Sequence, residues 1–169
     1  MISAGSEDTN RIEKLREYID VILLNMQDVE ERRCAYIHLY GVAQYCAMIA
    51  IKRGGNSELA IMAGMLHDLY CYKTMVRKNH AHNGADLARC ILKELKLTTE
   101  EETELICSAV YNHSDKDKIH SKFDEILKDA DVFQHNLYNT AFPVKEKEML
   151  RYLNLLKEFG ISNAYMNAL

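Results

Sequence analysis

Leu59-Ala60-Ile61-Met62-Ala63-Gly64-Met65-Leu66-His67-Asp68 is the stretch on which the fold turns. Residues 59–66 are apolar without a break, so a helix here is hydrophobic on every side and belongs in the interior. It ends in an imidazole and a carboxylate, side by side, where the core is deepest. A carboxylate buried there is costly unless it meets a charge or a metal ion.

Working outward, Gly54-Gly55 separates this helix from a longer one over about Arg32–Lys52. Its apolar positions Val42, Cys46, Ile49 and Ala50 keep the helical period, and it carries His38 in its early turns. Ser57 is expected to cap the central helix. A first helix over about Arg11–Met26 has the stripe Ile12, Leu15, Ile19, Ile22 and Leu23. Downstream, Leu69–Asn79 reads as a loop, and a helix runs from His80–Gly84 to about Leu95. Thr99-x-x-Glu102 is a capping box that opens a helix ending near His113. A polar loop, Ser114–Lys122, leads to a helix over about Phe123–Asn136. Pro143, the only proline, precedes a last amphipathic helix, Lys145–Phe159. No stretch alternates as a strand does. The reading is an all-α bundle of six or seven helices, one domain over 1–169. Residues 1–30 would supply a helix packed on a body at 34–138.

Composition narrows the partners. The 169 residues carry 21 Lys plus Arg against 25 Asp plus Glu, so no electrostatic case exists for nucleic acid or an anionic membrane. Cys34, Cys46, Cys71, Cys90 and Cys107 are odd in number, without a Cys-x-x-Cys pair, and read as packed, reduced thiols. Met1–Asn10 lacks an apolar core, so no signal peptide is expected. No apolar run approaches the ~20 residues of a membrane span. A cytoplasmic protein is expected. Leu153, Leu156 and Phe159 on the last helix pack either on the body or on a second copy, which leaves a homodimer open.

Helical phase makes the polar residues informative. Ile106, Ala109 and Val110 share a face that His113 continues, and Ile126, Leu127 and Ala130 share a face with Asp131. Two inward acids, Asp68 and Asp131, and two inward imidazoles, His67 and His113, need one explanation. A divalent metal neutralises the acids and takes the imidazole lone pairs together. The competing explanation for Asp131 is a lysine partner.

His38, then His67-Asp68, then Asp131 within Lys128-Asp129-Ala130-Asp131-Val132 resemble, in order and setting, the HD-domain metal-dependent phosphohydrolase superfamily. The resemblance covers about Cys34–Tyr138. His82, in His-Asn-Gly-Ala, and His113, in Asn-His-Ser-Asp, look like the extra histidines of its bimetallic branches, such as the one that hydrolyses diadenosine tetraphosphate. The resemblance implies an HD-domain bundle with one or two divalent metals. His38, His67, Asp68 and Asp131 would hold the first; Asp68, as a bridge, with His82 and His113 would hold the second. His82 and His113 could instead line the pocket and touch phosphate. No Gly-Tyr-Pro motif is present, which disfavours the cyclic-di-GMP branch. Ser-Asp-Lys rather than Thr-Thr-Gly follows His113, a departure from the diadenosine tetraphosphate branch.

Imidazole and carboxylate ligands favour Fe, Mn, Co, Ni or Zn. Such an ion acidifies water and so supplies a nucleophile; the resemblance implies that its target is a phosphate ester or anhydride, of a nucleotide or nucleotide-like metabolite. Asp68 would sit at the catalytic centre, with Lys73 and Lys116 binding the small phosphorylated substrate and Arg77 less favoured. His80 reads as solvated and His135 as structural. Two alternatives share the ligand set: a di-iron oxygenase, and a ligand-binding or regulatory module that keeps the metal with little activity.

Overall fold

The computed structural model describes residues 10–161. The segment considered for a signal peptide, Asn10 apart, and the tail beyond Ile161 lie outside the described residues. Among these are eight α-helices and no strand: α1 (Arg11–Leu24), α2 (Val29–Arg53), α3 (Ser57–Leu66), α4 (Leu69–Thr74), α5 (His80–Leu95), α6 (Glu100–Asn112), α7 (Lys122–Tyr138) and α8 (Glu146–Glu158).

The helix starts are chemically marked. Asn10, Asp28, Asn56 and Ser121 each accept a backbone N–H of the following turn, and Thr99 with Glu102 forms the expected capping box. Asn56 therefore takes the cap expected of Ser57, which is the first helical residue. Gly54 ends α2 in the left-handed region, at φ 70°. The expected loop after Asp68 holds the six-residue helix α4, which buries Leu69, Cys71 and Tyr72. One and a half turns are too short to show a period in sequence.

α3 sits at the centre, touched by α1, α2, α4, α6 and α7. Its approach to α2 depends on Gly64, where a Cβ would lie 2.7 Å from Ala43 Cα. α2 is long and apolar enough, with mean hydropathy 1.4, to pass for a membrane span by length and composition. Here it is a core helix, burying Ala35, His38, Leu39, Val42, Ala43, Cys46, Ile49 and Ala50. The last helix packs on the body through Tyr152, Leu155 and Leu156, with Phe159 5.4 Å from the Phe133 ring.

Three cations hold the loop between α6 and α7 by its carbonyls. Lys116 Nζ donates to His113 O at 2.7 Å, and Lys128 Nζ to Lys118 O at 3.0 Å. Arg151, on α8, donates to Lys116 O at 3.1 Å while also holding Glu125 and Asp129 at 2.6 Å. The carbonyls of His113, Lys116 and Lys118 are thus satisfied from within the loop, from α8 and from α7 in turn.

Candidate metal centre

The imidazoles of the interior share one orientation. His67 Nδ1 donates to Gly64 O at 2.7 Å, His113 Nδ1 to Val110 O at 2.7 Å, and His80 Nδ1 to Arg77 O at 2.9 Å. In each case the acceptor is the carbonyl three residues back. His67 and His113 stand at the C-caps of α3 and α6, where carbonyls lack helical partners. His38 Nδ1 donates to Gln134 Oε1 at 2.8 Å. These bonds fix each ring and, in the neutral imidazole, leave Nε2 as an acceptor facing inward.

The Nε2 atoms fall into two groups around Asp68. His38 Nε2 and His67 Nε2 are 3.1 Å apart, and lie 3.4 and 3.7 Å from Asp68 Oδ2. Asp131 Oδ1 completes this group, 3.6 Å from His38 and 3.9 Å from His67. On the other side, Asp68 Oδ1 lies 3.4 Å from His113 Nε2 and 3.5 Å from His80 Nε2, which are 3.2 Å apart. Ser114 Oγ lies 3.0 Å from His80 Nε2 and 3.3 Å from His113 Nε2, and its one proton serves only one of them.

These residues fit divalent metal. Nitrogen lone pairs facing each other at 3.1 Å repel, and Asp131 Oδ1 is buried without a hydrogen-bond partner. A cation among them relieves both conditions. Donors sharing an ion at about 2.0–2.2 Å stand roughly this far apart. The same side chains form the groups His38, His67, Asp68 and Asp68, His80, His113.

Asp131 Oδ2 accepts from Lys116 Nζ at 2.5 Å, so this carboxylate has both the lysine partner and a free oxygen. Burial works against its charge, but Lys116 and the imidazoles outweigh it and hold the carboxyl far below the usual range. Burial likewise opposes the charge on Asp68, and His67 and His113 overcome it, leaving its carboxyl well below its ordinary value. Burial pushes the His67 imidazole down to about 3, which keeps it neutral and able to ligate. At His38 the neighbouring Asp68 and Asp131 outweigh burial and raise it.

Of the residues expected in the centre, His38, His67, Asp68, His113 and Asp131 come together. His82 does not. Its ring is exposed and stacks on Tyr111, centroids 3.9 Å apart and 3° from parallel. His80 stands in its place, a correction to the reading that left His80 in solvent. The phase of α5 explains this: Gly84 and Ala88 are buried, and His80 lies one and two turns before them. His82 shares its face with exposed Asp86. Those positions could have been read from the sequence once the helix start was known.

Neither of the two lysines expected to bind phosphate lines the cleft over the centre. Lys73 is exposed and lines a groove beside Ile22 and Met26. Lys116 is buried against Asp131. His135, expected to be structural, stacks on His38 with Nε2 3.7 Å from Asp131 Oδ1 and Nδ1 3.6 Å from buried Glu148. A cleft of about 210 Å³ opens over His38 and Asp68 and is also lined by Tyr72, Arg77, His135 and Tyr138.

The family model described as the HD domain matches residues 35–136, more than half of the chain, from just before His38 to just past Asp131. The chain belongs to the HD domain family. Among solved structures it is similar to a predicted HD superfamily hydrolase from an uncultured Thermotogales bacterium. The TM-score is 0.59 and the identity 18%, with 87% of each chain covered. That likeness shows the HD fold. No curated protein matches the chain. Membership in the HD domain family supports hydrolase chemistry in general, and the His/Asp groups of this HD domain could hold metal.

Proposed function

We propose that this HD domain is a metal-dependent phosphohydrolase, cleaving a phosphate ester or anhydride of a nucleotide-like metabolite. The observation that carries the reading is Asp68, whose two carboxylate oxygens each face a pair of Nε2 atoms, so that two ions would share one bridging acid. His38, His67, Asp68 and Asp131 would hold one ion, and Asp68, His80 and His113 the other. When bound, such ions lower the pKa of water and withdraw charge from phosphoryl oxygens.

The chain's own side chains account for the remaining demands. His67, kept neutral by burial, and the backbone-anchored His80 and His113 hold their nitrogens ready without reorganisation. His135, backed by Glu148 at 3.6 Å, is placed on the cleft wall to give a proton to the leaving oxygen. In hydrolysis the water oxygen bonds to phosphorus, the P–O bond to the leaving group breaks, and that oxygen takes the proton.

The test is metal analysis of purified protein, then a screen of phosphomonoesters, nucleotides and dinucleoside polyphosphates. The reading expects about two ions per chain in the wild type, their loss with Asp68→Ala, and turnover that depends on them. Retained metal with no turnover of any phosphate compound would defeat it. Iron as the sole active metal, with an oxygen-dependent electronic spectrum, would point to an oxygenase.

A further inference from the structure

The cleft over His38 and Asp68 has one lysine or arginine in its lining among the described residues, Arg77. That guanidinium is not committed elsewhere. Its side chain is 74% exposed, and its carboxylate neighbour is Glu31 at 3.7 Å, a long and weak pair. By contrast, Arg53 and Arg151 hold carboxylates at 2.7 and 2.6 Å. Lys116 is taken by Asp131, and Lys73 lines another groove.

Arg77 lies between the end of α4 and the start of α5. Met75 (φ 58°) and Asn79 (φ 52°) are left-handed, a conformation that side-chain-bearing residues seldom adopt and that Met adopts less readily than Asn. Between these two turns, Arg77 O accepts from His80 Nδ1 at 2.9 Å. The segment that carries the guanidinium is therefore tied to a ligand-bearing imidazole.

The recess is small and opens to solvent. At roughly 30 Å³ per water, 210 Å³ holds about seven waters, below the range of drug-sized pockets. A phosphoryl group and a small ester group fill it, and a dinucleoside polyphosphate would lie mostly outside. Tyr138, 61% exposed, offers a ring face on the same lining.

We propose that Arg77 recognises the phosphoryl group through a bidentate pair to its non-bridging oxygens, and that the substrate is a compact phosphomonoester whose ester group lies against Tyr138. This deepens, and rests on, the phosphohydrolase reading. A planar guanidinium suits the task better than an ammonium.

The experiment uses the full chain loaded with manganese or zinc, as wild type, Arg77→Met and Arg77→Lys. Binding of inorganic phosphate is measured by calorimetry, and kcat and KM with ribose 5-phosphate, adenosine monophosphate and diadenosine tetraphosphate. Arg77 is exposed, so unchanged metal content and melting temperature are expected in both variants. Arg77→Met is expected to weaken phosphate binding about 10–100-fold, raising KM for monoesters in parallel, with Arg77→Lys recovering part of the loss. Phosphate affinity within twofold of wild type in Arg77→Met overturns the assignment, as does a higher kcat/KM for diadenosine tetraphosphate than for both monoesters. Arg77-dependent phosphate binding without turnover supports Arg77 as the phosphate ligand and defeats the hydrolase reading instead.

Discussion

Among the described residues Lys116 is the one cation that touches Asp131 at hydrogen-bond distance, and the structure allows the consequence of replacing it with methionine to be worked out. The ammonium and the carboxylate are 2.5 Å apart, with side chains 4% and 7% exposed. Asp131 Oδ1 already lacks a hydrogen bond, so the substitution strands the second oxygen too and deprives His113 O of its donor. Removing one partner of a buried pair costs about 3–5 kcal/mol. For a chain of this size each kcal/mol lowers the melting temperature by about 2–4 °C, so a drop of roughly 6–20 °C is expected in EDTA. Manganese or zinc should narrow the gap, because an ion at Asp131 takes over the neutralisation. Acid should narrow it as well. In the wild type the Asp131 carboxyl is held below its ordinary value, so its contribution is complete above the unfolded value near 3.9 and is lost as pH falls further. In the variant Asp131 is protonated earlier, which relieves its burial. Thermal unfolding with and without metal, from pH 3 to 8, reads all three effects. A gap under about 1 kcal/mol in EDTA at pH 7, or one that widens with metal, would refute the reasoning.

His80→Ala should lose about one metal equivalent by elemental analysis while His82→Ala keeps both; equal metal content in the two would undo the second group. Gly64→Ala places a Cβ 2.7 Å from Ala43 Cα and 2.8 Å from Ala43 N, backbone that cannot step aside. A loss of at least about 1–3 kcal/mol in denaturant unfolding is expected, with weaker metal retention, because Gly64 O also anchors His67. His67 is driven down to about 3 by burial, against about 6.5 when unfolded, so it contributes stability above pH 6.5 that is lost as pH falls toward 3. His38 shifts upward and slopes the other way, so the measurement is metal-free wild type against His67→Gln, the difference shrinking on acidification. His135→Gln should lower kcat about 100-fold at unchanged metal content; an unchanged kcat would remove it from the proton transfer.

The interior of the fold was readable because its signals are redundant. The unbroken apolar run before His67-Asp68, the capping box at Thr99 and the periods of the long helices all point to one all-helical core. The short α4 was missed because six residues are too few to show a period. The inward direction of Asp131 and His113 followed from helical phase, and the structure places both beside Asp68. His80 and His82 were exchanged for a physical reason: two residues are about half a helical turn apart, so the choice depends on where α5 begins. That start is set by a left-handed Asn79 that makes no side-chain cap, so it lacks the signal that marks most of the other helix starts. Lys116 and Lys73 show the opposite limit. Their charges are visible in sequence, but which carboxylate or cleft a long flexible side chain meets is decided by packing between helices distant in the chain.

α8 supplies no ligand, and a chain stopped at Tyr138 would still spell out every acid and imidazole of the centre. Yet Arg151 grips the carbonyl of Lys116, whose ammonium in turn grips Asp131. The C-terminal helix therefore acts as an outrigger for a ligand set it does not join, and through Glu148 it also backs His135. Variation on its inner side should be heard at the metal, while the Asn139–Lys145 connection can lengthen or shorten with little echo there.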